Sequence, residues 1–205
     1  PARWYDRATY CCSATWFSVF ERDPRLALVH GAEGIALIAD GVANSAIQWR
    51  LPLAMVHAAR GDRDETRRLL DELAGFERRH GLHYWRPLFE AVEAILALRT
   101  ADEAALRRAL AELLRSTAAN DKTYLWFLRA YLPEIFAAAF ARDIDVVEAR
   151  RLVRLYGLPS PDAGTDVGAD AWPWQVRVRV LGRFALELDG EPVVFKGKVP
   201  RKPLA

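Results

Sequence analysis

The chain has 205 residues, of which 52% are apolar and 27% charged, and a formal net charge of +2. That composition supports a buried core in one or two domains and excludes both a membrane protein and a disordered chain. The most apolar stretch, 124–141, is interrupted by Arg129, Pro133 and Glu134 before it could span a bilayer. The charge is uneven: residues 172–205 hold seven Lys/Arg and three acids, and the rest holds 22 basic and 24 acidic residues. A near-neutral body with a basic C-terminal end points mildly towards nucleic acid. With no initiator Met and no signal segment, the sequence reads as a cytoplasmic piece of something longer.

Near the N-terminus, adjacent Cys11 and Cys12 fall in a helical pattern that forbids a disulfide between neighbours. They read as small buried thiols in a reducing compartment. Junctions then recur at Arg22-Asp23, Gly61-Asp62, Ala101-Asp102 and Arg142-Asp143, with Asp-to-Asp spacings of 39, 40 and 41. Trp85 and Trp126 are 41 apart, and Leu51-Pro52 lies 81 before Leu132-Pro133. This period predicts a mainly α fold over residues 1–156, with four antiparallel helical hairpins stacked as a TPR-like α-solenoid.

Each junction carries helix-start chemistry. Asp23-Pro24 places an N-cap before a proline at N1. Asp62 with Glu65, Thr100 with Glu103 and Asp145 with Glu148 have capping-box spacing. The second helix of each pair is amphipathic, through Leu69, Leu70, Leu73 and Phe76, then Leu106, Leu110, Leu113 and Leu114, then Val146, Ala149, Leu152, Val153 and Tyr156. The first helices, over 36–47 and 132–140, are apolar nearly all round and belong inside the stack. Pro52, Pro87 and Pro133 should kink or split them.

Residues 157–175 hold three Gly, three Pro and three Asp and read as a linker. Beyond it the apolar period becomes 2. Val176, Val178 and Val180, then Phe184, Leu186 and Leu188, predict two strands. Asp189-Gly190 is a hairpin turn before a third strand at Val193-Val194-Phe195. Phe184 and Leu186 are expected to be buried against a partner surface.

The search for chemistry finds no G-x-S-x-G, H-E-x-x-H, C-x-x-C or P-loop, and the chain reads as a non-enzyme with no metal or cofactor of its own. His80 and His83 have no third ligand near them in sequence. His30 and His57 read as helix residues with ordinary hydrogen bonds. Trp49, Tyr84, Trp85, Tyr124 and Trp126 sit near the starts of the first helices, where they either fill the gaps between layers or line a concave groove that stacks on a sugar or a peptide. Lys196, Lys198, Arg201 and Lys202 are candidate phosphate contacts.

The C-terminal segment also carries a resemblance. Val178 to Leu186 (V-R-V-L-G-R-F-A-L), Asp189 to Val193 (D-G-E-P-V), Gly197-Lys198, and Arg201 to Ala205 (R-K-P-L-A) resemble the opening of a winged-helix DNA-binding domain of the OmpR type. The variant is that of the bacterial transcriptional activator domain in antibiotic-regulatory (SARP-like) proteins and in large regulators similar to the maltose-regulon activator. The resemblance implies a helical-repeat domain at 1–156, a linker at 157–175 and the first sheet of a winged helix at 176–205. It implies a regulatory segment of a transcriptional activator, with DNA bound by the complete parent protein, ATP in an upstream module, and an effector or protein partner on the repeats. Homo-oligomers are compatible with it. The competing reading is a helical-repeat interaction scaffold that binds no DNA.

Overall fold

The computed structural model describes residues 4–38, 43–119, 124–161, 172–182 and 184–194. These form eight α-helices: α1 (Trp4–Phe20), α2 (Pro24–Leu37), α3 (Ala43–Ala59), α4 (Arg63–His80), α5 (Arg86–Arg99), α6 (Glu103–Ala118), α7 (Leu132–Ala141) and α8 (Val146–Tyr156). A short 3-10 turn precedes α5 (His83–Trp85) and another precedes α7 (Leu125–Leu128). Helices pack in sequence pairs, α1 on α2, α3 on α4, α5 on α6 and α7 on α8, while α3 meets α5 and α5 meets α7. Among the described residues no helix is long and apolar enough to cross a membrane.

The turn inside each pair is the same device four times. Arg22, Gly61, Ala101 and Asp143 all take left-handed backbone, with φ of 55, 75, 51 and 54°. The following amide then donates to the carbonyl five residues back: Asp23 to Ser18 at 2.8 Å, and Asp62 to His57, Asp102 to Ala97 and Ile144 to Ala139 at 3.0 Å each. This is the helix-ending geometry in which a left-handed residue lets the chain reverse onto its own last carbonyls. An aspartate then opens the next helix. Asp23 accepts from the Arg25 and Leu26 amides, Asp62 from Glu65, Asp102 from Ala105 and Asp145 from Glu148.

Four sequence expectations change here. The cap at the third junction is Asp102, because the Thr100 hydroxyl is spent on the Leu96 carbonyl at 2.9 Å. The reciprocal half of the capping box gives way to ion pairs, with Glu65 turned to Arg68 and Glu148 to Arg151 at 2.7 Å. The apolar run 36–47 is two helix ends rather than one helix, since α2 stops at Leu37 and α3 starts at Ala43. Pro52 stays inside a continuous α3, whereas Pro87 and Pro133 occupy first-turn positions, where a missing amide costs nothing.

Ion pairs repeat with the turns. Arg63 reaches Asp102 at 3.4 Å and Arg142 reaches Glu103 at 2.9 Å, each across 39 residues, so successive junctions lie side by side. The first pair departs from a simple open row. Arg22 bonds the Ala130 carbonyl and pairs with Glu134 at 2.8 Å, and α1 touches the 3-10 turn Leu125–Leu128.

The C-terminal strands β1 (Val176–Arg179), β2 (Ala185–Leu188) and β3 (Glu191–Pro192) form an antiparallel sheet in that order. The Asp189-Gly190 turn has φ of 54 and 87°, the two positive angles a two-residue hairpin of matching twist requires. Val193 continues the pairing, its amide donating to the Leu186 carbonyl at 2.8 Å, whereas the expected strand residue Phe195 lies outside the described residues.

Register puts Val176 opposite Leu188 and Val178 opposite Leu186 on one face, with Arg177 opposite Glu187 on the other. Leu186 is half-buried but Phe184 is exposed, contrary to expectation. The hold on the helices is polar, through Arg154 and Asp189. Within 157–175, Leu158 and Trp172 are buried. The Trp172 indole donates to the Leu158 carbonyl at 3.1 Å and stands edge-on to Phe140.

A β-carbon at Gly61 would meet nothing closer than 3.7 Å, so its cost is backbone conformation alone. Ala101 already bears that cost. Ala101→Gly should therefore raise stability by up to about 1 kcal/mol, and Gly61→Ala should lower it by about as much, in urea unfolding. The His57 ring and then the Glu65 amide hold the Asp62 carboxyl below its ordinary range, and the Ala105 amide does the same for Asp102. Their contribution is complete above an unfolded-state pKa of about 4 and lost as pH falls through the lower folded values. Asp102→Asn keeps a competent cap without the charge. Its urea midpoint should fall less steeply than wild type between about pH 5 and about pH 2.

Candidate functional site

The five aromatic residues expected together divide between core and surface. Trp49 lies in the middle of α3, buried, with its indole against Gly34 of α2, where a β-carbon would come within 2.6 Å of the ring. It takes no place in a groove. Trp85 is 3% exposed, Tyr84 half-buried, and Tyr124 and Trp126 exposed, the last at 48%. The 3-10 turns ahead of Pro87 and Pro133 bring four of the five into one cluster. Trp85 stacks on Tyr124 at 5.7 Å, and Tyr84 lies 5.6 Å from Tyr124. Phe127 lies 6.2 Å from Trp85 and stacks with Trp126 at 3.8 Å.

Two further members come from α1. Trp16 meets Phe127 at 4.8 Å and Phe20 meets Trp126 at 6.3 Å, while the Trp16 indole donates to the Gln48 carbonyl of α3 at 3.1 Å. Helix α1 therefore lies along the aromatic side of the later pairs and fills space that an open groove would leave to a ligand. Sequence spacing had no access to this, because Trp16 and Phe20 lie outside the forty-residue register of the other rings.

Buried carboxylates brace the turn that carries Trp85. Glu77 accepts from Arg86 at 3.1 Å and faces the His83 ring at 3.3 Å. Glu90 accepts from the Ser116 hydroxyl at 2.7 Å and faces Arg86 at 3.4 Å, with burial pushing its carboxyl above the ordinary range. His80 goes elsewhere, stacking on Phe76. The two histidines thus serve different partners. Among the described residues, the cluster with metal-ligand character is Cys11, His30 and Glu33, between α1 and α2.

A second concave feature went unnoticed in the sequence. A cavity of about 190 Å³ is lined by Arg22, Val56, Arg60, Arg99 and Tyr131, among others. Glu134 pairs with both Arg22 at 2.8 Å and Arg99 at 2.6 Å, and Arg22 lies over the Tyr131 ring at 4.9 Å. Its signal was present: Arg22, Arg60 and Arg99 each stand shortly before a junction, at spacings of 38 and 39.

Comparisons with protein-family models, curated proteins and solved structures find no match. Lys196, Lys198, Arg201 and Lys202 lie outside the described residues.

Replacing Trp85 by Ala removes a buried ring from this cluster and should cost about 3–5 kcal/mol. Trp126→Ala trims a half-exposed ring and should cost about 1 kcal/mol with native helicity retained. Urea titrations followed by circular dichroism check both values. Equal losses would place the two rings in equivalent surroundings, against the geometry.

Proposed function

We propose that the chain is a regulatory segment of a DNA-binding transcriptional activator, in which helical repeats sense an effector or partner and the C-terminal sheet begins a winged-helix domain. The observation that carries this reading is the sheet. Its three antiparallel strands and Asp189-Gly190 hairpin fall on the residues that resemble a winged-helix opening. Its apolar row is turned outward, with Val176, Val178 and Leu188 exposed, as in a sheet that packs on further structure.

The repeated turn geometry and the 39-residue ion pairs support a TPR-like stack for α3 to α8, with α1–α2 folded across its aromatic side. The helical part is then a platform for regulation, ATP belongs to another module of the parent, and no reaction is catalysed here.

The competing scaffold reading draws on α1, which exposes Trp4, Tyr5, Tyr10 and Phe17. Such aromatic surface suits a protein partner.

Salt dependence separates the two. Four phosphate contacts from Lys196, Lys198, Arg201 and Lys202 give a slope of log K against log salt of about −3 to −4. In a fluorescence-anisotropy titration with labelled random-sequence duplex DNA, binding should be weak, independent of sequence and steeply salt-sensitive. Replacing the four residues by Ala should abolish it. An absence of binding even at low salt favours the scaffold, and salt-resistant binding to one sequence contradicts both readings.

A further inference from the structure

We propose that Cys11, His30 and Glu33 form a binding site for a single zinc ion, or a similar thiophilic divalent cation, between α1 and α2. One ligand atom from each lies within 4.8 Å of the other two. Cys11 projects from α1, and His30 and Glu33 are three residues apart on α2, the spacing that places two ligands on one helix face.

The surroundings suit a metal. Cys11 is fully buried, and both cysteines are free thiols. His30 Nδ1 is buried without a hydrogen-bond partner, so nothing among the described residues satisfies this nitrogen. It is also the outcome the sequence did not anticipate, since an ordinary helix histidine finds a partner, as His57 finds Asp62 at 2.9 Å. Glu33 is one-third exposed, so the site is not sealed from solvent.

Supporting contacts are in place. Arg7, one turn before Cys11, binds Glu33 through Oε1, which fixes the carboxylate and leaves Oε2 outside that pair. The Tyr10 ring stands edge-on to the His30 ring at 5.7 Å. Gly34 lets the backbone of α2 approach Cys11, since a β-carbon there would sit 3.2 Å from the Cys11 β-carbon.

The donor set selects the cation. Thiolate, imidazole and carboxylate together match zinc, with calcium and magnesium disfavoured by the sulfur. Burial, and next the Glu33 charge, push the Cys11 thiol above its ordinary range, whereas zinc is held by the thiolate. Binding is therefore an exchange: the sulfur–hydrogen bond breaks, a sulfur–zinc bond forms, and one proton leaves to solvent. Thiolate and carboxylate then balance the dication. Three protein ligands leave a fourth tetrahedral position for water.

The test uses the full chain with zinc or cobalt(II) alone. Wild-type protein should retain one zinc per chain after dialysis and release about one proton on binding. Cobalt should give tetrahedral visible bands with a thiolate charge-transfer band. Cys12→Ser should keep that band, which assigns the thiolate to Cys11 without disturbing the site.

Cys11→Ser and His30→Ala should lose stoichiometric zinc while keeping native helicity, and Arg7→Ala should weaken binding by about 10–100-fold. Substoichiometric zinc in the wild type overturns the site. So does loss of the cobalt thiolate band in Cys12→Ser, a readout that holds even where Cys11→Ser fails to fold.

Discussion

At four points the chain leaves one helix through a left-handed residue, bonds the next amide to a carbonyl five residues back, and opens a new helix on an aspartate cap. This turn sets the direction in which each second helix returns, and hence which side of each pair is left for its neighbours. Only Gly61 adopts the conformation without penalty. Arg22, Ala101 and Asp143 adopt it because two helices and their caps hold them there. Local strain of this kind persists only where surrounding structure outweighs it.

Once the turns are aligned, charge and burial follow. Glu103 and Arg142 meet because both stand at junctions, and the same is true of Arg63 and Asp102. Exposed pairs of this type contribute little individually, so they report alignment more than they enforce it. The enforcing term is α5, where Leu88, Val92 and Ile95 are buried on one side of the helix and Ala91, Ala94 and Ala97 on the other. A helix apolar round most of its circumference must be covered by neighbours on several sides, and α3, α6 and α7 supply them.

The helix boundaries at the four aspartate junctions were legible because caps are local, whereas the break between α2 and α3 was hidden inside the apolar run 36–47; the hairpin turn was legible because Asp-Gly has few alternatives in backbone angle. What escaped the sequence was contact between distant elements. Trp16 and Phe20 joined the ring cluster, and Arg22 crossed to Ala130, through the placement of α1, which no spacing encodes. By sequence Trp49 also stands near the start of a first helix, but 36 residues before Trp85 it falls out of the 41-residue register and packs into the core against Gly34. Cys11, His30 and Glu33 were each ordinary in sequence. Their proximity depends on how α1 packs along α2.

The sheet makes the converse case, a local pattern read correctly whose surroundings were not. Alternation in Val176 to Val180 and in Phe184 to Leu188 specifies two faces but not which one meets the helices. The contacts that tether the sheet are polar: Arg154 with Asp189, and Arg177 with the Trp172 carbonyl at 3.4 Å. Trp172 is itself buried beside Phe140, so the segment before β1 is fixed to the helical body while the apolar row looks outward. Burial of that row requires structure on its outer side. A winged-helix continuation would supply it, and in doing so would connect a DNA-binding unit to the helical body through Trp172 and Arg154. Movement of α8 or α7 would be felt at the sheet through these contacts, because Arg154 lies on α8 and Phe140 on α7.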